Sequence, residues 1–179
     1  MNDIRIRAAV AADARTIARV HVRAWRESYR GLVPDQMIEA LSVERNGRMW
    51  ADILTAGNSP IVHVVERLGG SDETEIVGFG SGAGARGSEL GTSGEILAIY
   101  LLDRIKRRGI GRMLLTGLLA ALADRGHPSA GLWVLVDNRS ARRFYETLGA
   151  HAQSQRLVID GPADMHEVAY VWDDLSGFH

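Results

Sequence analysis

The chain has no cysteine. That excludes disulfides, a cysteine nucleophile and thiolate metal sites, and it fits a reducing cytoplasm. An excess of either charge is also missing. With 21 Lys and Arg against 22 Asp and Glu, nothing draws the chain as a whole to nucleic acid or an anionic membrane. No run approaches the ~18 apolar residues of a membrane span. The N-terminal MNDIRIRAAV lacks the apolar core of a signal peptide. The six histidines are scattered without metal-site spacing, so no metal is expected. Internal repeats, low-complexity tracts and domain linkers do not occur either. What is present is 179 residues, 46% hydrophobic and 24% charged, which predicts one domain, residues 1–179, with a sizeable core.

The stretch Ile96 to Arg125 stands out. Ile96 to Leu102 is nearly all apolar and reads as a strand covered on both faces. Asp103 to Gly111 follows as a basic turn, with Arg104, Lys106, Arg107 and Arg108 around Gly109 and Gly111. A helix begins near Ile110; Ile110, Leu114, Leu118 and Leu122 make one stripe, flanked by Met113 and Ala121. Gly126 and Pro128 end it. A helix N-terminus offers unpaired N–H groups and partial positive charge, and glycines admit close approach. Such a turn suits a pyrophosphate. The plain alternative is an ordinary strand-to-helix connection with solvated charges.

The rest of the chain reads as alternating elements. Asp3 to Ala9 predicts a strand and Asp13 to about Arg30 a helix. Asp35 to Leu41 predicts a short helix. Ser42 to about Leu54 predicts another, with Met49, Trp50 and Ile53 inward. Gly57 to Pro60 forms a turn. Strands at Ile61 to Glu66 and Glu75 to Gly80 flank a polar connection as a hairpin. The glycine-rich Ser81 to Gly94 predicts a mobile loop. Gly131 to Val136 is a buried strand and Asn138 to Leu148 a helix. Gln155 to Asp160 and Glu167 to Trp172 are closing strands around Gly161 and Pro162. The fold class is therefore α/β: one mixed, mostly antiparallel sheet of six to seven strands with a parallel pair, flanked by helices.

Two familiar phosphate loops fail. No Walker A string occurs, and after Gly109 and Gly111 a dinucleotide fingerprint meets Leu114 instead of glycine. The string Lys106 to Arg112, KRRGIGR, instead resembles the acyl-coenzyme A loop of the GNAT N-acetyltransferase superfamily, although Lys106 stands where Gln or Arg is usual. Downstream, DNRSARRFYETLGA resembles the second signature of that family through Asn138, Ala141, Phe144, Tyr145, Glu146 and Gly149.

The resemblance implies direct transfer of an acetyl group from acetyl-CoA, as co-substrate, to a primary amine of a small molecule or peptide. It implies a fourth strand splayed from the fifth, with the pantetheine between them. By position, Ile99, Tyr100 and Leu101 would offer backbone groups to it. Arg107, Arg108, Gly109, Ile110, Gly111 and Arg112 would hold the pyrophosphate, and Asn138 would meet the pantetheine arm. Tyr145 would protonate the leaving thiolate. A thiolate of pKa ~8.5 can take a proton from a phenol near ~10; a core aromatic is the other reading of Tyr145. Glu95 would serve the attacking amine through water, or be a solvent-facing strand end. Trp25 and Tyr29 would wall an acceptor pocket, or pack helix against sheet. In this fold the acceptor side runs from Trp25 to Val33, with Met165 and His166 opposite. A catalytically silent acyl-CoA-binding regulatory module is the alternative on the same fold. A nucleotide phosphotransferase is disfavoured without a Walker A loop. The acceptor and a homodimer both stay open.

Overall fold

A computed structural model of the chain describes residues 3–57, 60–69, 74–158 and 165–178. The turn at Asn58 and Ser59, the connection at 70–73 and the loop with Gly161 and Pro162 lie outside them. β1 (Ile4–Ala8) precedes three helices: α1 (Ala14–Tyr29), α2 (Asp35–Glu39) and α3 (Val43–Thr55). Then come β2 (Ile61–Leu68), β3 (Thr74–Gly84), β4 (Gly94–Leu101), α4 (Ile110–Asp124), β5 (Ala130–Leu135), α5 (Arg139–Glu146), β6 (His151–Val158) and β7 (Met165–Trp172). The seven strands form one sheet in the order β1-β2-β3-β4-β5-β7-β6, antiparallel except for β4 against β5.

α1 and α4 sandwich the middle of the sheet, both touching β3 and β4, while α3 packs on α1. Ile17, Ala18 and Ala24 of α1 are fully buried, as are Leu114, Leu115, Leu118, Leu119 and Leu122 of α4. The α4 stripe is wider than the i, i+4 pattern predicts, and Met113 at its flank is exposed. Met49 is likewise exposed, because α3 turns only Trp50 fully inward.

Residues Ser81 to Gly84 are strand, not loop. Their glycines signal a close approach. A Cβ on Gly80 would lie 2.6 Å from Leu118 Cδ1, so α4 rests on bare β3 backbone there. The true connection is residues 85–93, and it is pinned. Arg86 pairs with buried Glu95, and Leu90 is buried against Gly131.

Candidate active site

β4 leaves β5 for a local reason. On β3, Ser81 faces Ala98 and Gly82 faces Ile96, so Leu97 is an extra residue on β4. Such a bulge bends the strand and increases its twist. The β4–β5 ladder accordingly ends after Gly94 opposite Ala130 and Glu95 opposite Gly131. Beyond it, the backbone of Ile96 to Leu101 has no strand partner on that side. The gap is a cavity of about 800 Å³ between β4 and Leu132 to Val134 of β5. α5 contributes Phe144 and Tyr145 to its wall, and Gly109 and Gly111 lie at α4's end of it.

Most of the residues expected from the sequence meet here. Ile99, Tyr100, Leu101, Arg107, Gly109, Gly111, Arg112, Asn138, Tyr145 and Tyr29 line this one cavity. Arg108 is exposed and Ile110 is buried, and neither lines it; nor do Trp25 and Glu95.

The basic turn sorts into committed and free cations. Arg104 is paired with Glu75, and Lys106 with Asp103 and the Ser28 hydroxyl. Arg107, Arg108 and Arg112 have no carboxylate partner among the described residues. Gly109 has φ +79°, and a Cβ there would meet nothing within 4 Å. Arg107 has φ +61°, a left-handed conformation costing an L-residue about 1–2 kcal/mol. A strained turn, an open glycine, a 15-residue helix behind it and three uncommitted arginines fit a pyrophosphate. The unpaired β4 backbone fits the amides of a pantetheine.

Aromatic side chains close the inner end of the gap. Tyr145 is 7% exposed and packs on Phe144, Tyr170 and Trp172. Its hydroxyl has no protein partner among the described residues, and burial pushes the phenol well above its ordinary pKa. The Tyr100 hydroxyl accepts from Trp25 Nε1 at 2.9 Å and lies 3.5 Å from that of Tyr29. Burial also raises both of these phenols. His21 stacks behind Tyr100 with ring centroids 5.3 Å apart, and burial lowers it to about 4, so it is neutral. Asn138 Oδ1 caps α5 by accepting from Ala141 N at 3.1 Å, which leaves its amide N–H groups for another partner.

Glu95 is 5% exposed and engaged on both oxygens. Arg86 donates from Nη2 to Oε1 at 2.6 Å, and from Nε and the backbone N to Oε2 at 3.1 Å each. Burial pushes this carboxyl up, but the Arg86 bonds and charge outweigh it and hold it below the usual carboxylate range.

A second cavity of about 780 Å³ opens beside the first. It lies between Gly31 to Asp35 on one side and Leu135 to Asp137, Gln155, Met165 and His166 on the other.

The sequence profile of the Acetyltransferase (GNAT) family matches residues 21–150. The chain belongs to this family. Membership makes it an acyltransferase that moves an acetyl group from acetyl-CoA to an amine. An uncharacterized N-acetyltransferase of Bacillus subtilis, YuaI, is 30% identical over 173 residues, covering 97% of this chain and 95% of that one. Two solved structures share the fold. One is yncA of Salmonella typhimurium with its cofactor acetyl-CoA, at TM-score 0.71 and 17% identity over 97% of this chain and 95% of that one. The other is the PaiA N-acetyltransferase of Thermoplasma acidophilum with coenzyme A, at TM-score 0.66 and 20% identity over 92% and 97%. No helix among the described residues is long and apolar enough to cross a membrane.

Proposed function

We propose that the coenzyme lies in the β4–β5 gap and that a primary amine reaches the thioester from the second cavity, attacking it directly. The observation that carries this reading is the ladder's end at Glu95 opposite Gly131, next to a helix N-terminus with uncommitted arginines. Ile99, Tyr100 and Leu101 would offer backbone groups to the pantetheine, and Asn138 its side-chain amide. Arg107, Arg108 and Arg112 would face the pyrophosphate, with Gly109, Ile110 and Gly111 supplying N–H groups. Tyr145, with no protein partner and its proton firmly held, would donate to the sulfur as it leaves. Trp25 and Tyr29 would wall the acceptor through their hold on Tyr100. For Glu95, occupied by Arg86, the geometry favours holding the β3–β4 connection over proton transfer. The acceptor class is a small-molecule or peptide amine. The absence of cysteine favours the cytoplasm as its compartment.

Calorimetric titration with acetyl-CoA, followed by coenzyme A release with a panel of amines, tests this. Gly109→Asp puts a carboxylate beside the anion site at a φ that Asp adopts more readily than most residues. The variant should stay folded and bind acetyl-CoA at least tenfold more weakly. Unchanged affinity would place the pyrophosphate elsewhere. Binding without coenzyme A release for any amine would favour the silent module.

A further inference from the structure

We infer that Glu167 is the carboxylate that takes the proton from the attacking ammonium, and that Arg156 positions it. This rests on the reading that coenzyme and acceptor meet between the two cavities.

On β7, Glu167 stands opposite Leu135 of β5 and Arg156 of β6. Cross-strand partners share a face of the sheet. Leu135 lines the second cavity, and so do Met165 and His166 on β7 just before Glu167. Trp133, two residues before Leu135 and so on the same face, lines the first cavity. Glu167 itself lines neither cavity; it stands on this face beside Leu135, of the second cavity's wall, and holds the arginine that covers Trp133, of the first. The Arg156 guanidinium lies 4.0 Å over the Trp133 ring. From there its Nε and Nη2 reach the same oxygen of Glu167, Oε2, at 2.9 and 2.8 Å. Oε1 has no protein partner among the described residues, and the side chain is 21% exposed. Tyr29, of the first cavity's wall, feels this charge: burial raises its phenol most, and Glu167 adds to the shift. Other charges nearby are Arg86, which also senses Glu167, Glu89, which pairs with Arg156 at 3.3 Å, and Glu95, which senses Arg156. The contrast with Glu95 is direct, since both of that carboxylate's oxygens are occupied.

In the reaction, an N–H proton of the ammonium passes to Glu167. The freed lone pair forms the C–N bond to the acetyl carbon as the C–S bond breaks. The thiolate takes the Tyr145 proton, and a second proton from the nitrogen restores that hydroxyl. Glu167 releases its proton to water. One ammonium and one thioester thus give one amide, one thiol and one proton.

A base matters only for an amine that arrives protonated. n-Butylamine and O-propylhydroxylamine differ by an oxygen in place of one methylene. At neutral pH the first is almost wholly ammonium and the second almost wholly neutral. Glu167→Gln should lower kcat/KM for butylamine by ~10²-fold or more. Its loss for the alkoxyamine should be at least tenfold smaller. Glu167→Asp should recover part of the butylamine rate, and Arg156→Ala should show the same selective loss in weaker form. Acetyl-CoA affinity and the thermal midpoint, measured alongside, should stay near wild type in Glu167→Asp. Equal losses for both probes, or none, would overturn the assignment while leaving acetyl transfer intact. Wild-type protein that acetylates the alkoxyamine but not butylamine would show that no group here takes a proton from an ammonium, and would overturn Glu167 as the base.

Discussion

Tyr145 and Tyr170 make a controlled comparison. Their ring centroids are 6.1 Å apart, and both side chains are buried. The Tyr170 hydroxyl donates to Glu146 and accepts from Arg142 Nε at 3.3 Å. That of Tyr145 has no such partner among the described residues. Tyr170→Phe removes both bonds, one to the exposed Glu146 and one to Arg142, which keeps Val136 O, and should cost about 0.5–1.5 kcal/mol of stability. Tyr145→Phe removes no intramolecular hydrogen bond, and its ring keeps Trp172 and Phe144. Its stability should change by less than about 0.5 kcal/mol. Turnover should respond in the opposite sense. General-acid assistance is typically worth ~10²–10⁴-fold, which is about 2.7–5.5 kcal/mol of barrier. Burial makes the Tyr145 phenol a weaker acid than usual, so the lower end, ~10²-fold, is expected. Rapid-quench single turnovers at saturating acetyl-CoA, with thermal melts alongside, measure both effects. Tyr145→Phe should lose turnover and keep its melt, and Tyr170→Phe the reverse. If Tyr145→Phe turns over like wild type with chemistry rate-limiting, the hydroxyl does nothing for the thiolate and Tyr145 is a core aromatic.

Two other substitutions probe the neighbouring groups. Glu95→Gln should cost about 1–3 kcal/mol at pH 7, because Arg86 loses a charged hydrogen-bond acceptor. The Glu95 carboxyl is held below its unfolded value, so its contribution is complete above about pH 5 and is lost as pH falls through the folded value. Denaturant midpoints should converge between wild type and variant in acid, with the pH–rate profile unchanged in shape; an altered profile would return Glu95 to the chemistry. Trp25→Ala releases the Tyr100 hydroxyl and should raise the acceptor KM several-fold with acetyl-CoA affinity within twofold; Tyr29→Ala, whose ring lines the first cavity, should raise the acceptor KM as well. Folded variants with wild-type acceptor kinetics would put the acceptor elsewhere.

The elements were legible because their signals are local. Alternation in Ile4 to Arg7, the leucines of α4, and Gly126 and Gly149 at positive φ all mark elements within a few residues. The basic turn and Asn138–Tyr145 were legible for the same reason, and both reach the one cavity. Glycines misled where two causes share one residue. Gly82 and Gly84 suggest a loop, yet β3 runs through both, and a Cβ on Gly82 would already touch Leu122 at 3.4 Å. Leu97's role as the extra residue has no signature, since a bulge is defined by pairing with another strand. The Trp133–Arg156–Glu167 array is likewise a product of register. Its members lie 23 and 11 residues apart and meet only because β7 inserts between β5 and β6.

The departure at Lys106 takes on meaning from the same kind of long-range meeting. The family resemblance expects Gln or Arg there. Here the ammonium is held by the Ser28 hydroxyl at 3.0 Å and Asp103 at 2.7 Å, all three on the wall of the first cavity. Glu27 closes the same seam from the other side. Its Oε2 accepts from the Asp103 backbone N at 2.8 Å while its Oε1 takes Arg23. The last turn of α1 and the turn before α4 are thus joined by two polar contacts on adjacent residues, Glu27 and Ser28. Tyr29 follows immediately and lines the first cavity, and Gly31 begins the wall of the second. Under the proposed reading, the turn that would meet the pyrophosphate is therefore tied to α1 within two residues of Tyr29. Lys106 is thereby committed to protein partners, while Arg107 and Arg112 line the same cavity with no carboxylate partner among the described residues. The loop proposed to meet the coenzyme and the helix proposed to meet the amine are joined by these contacts.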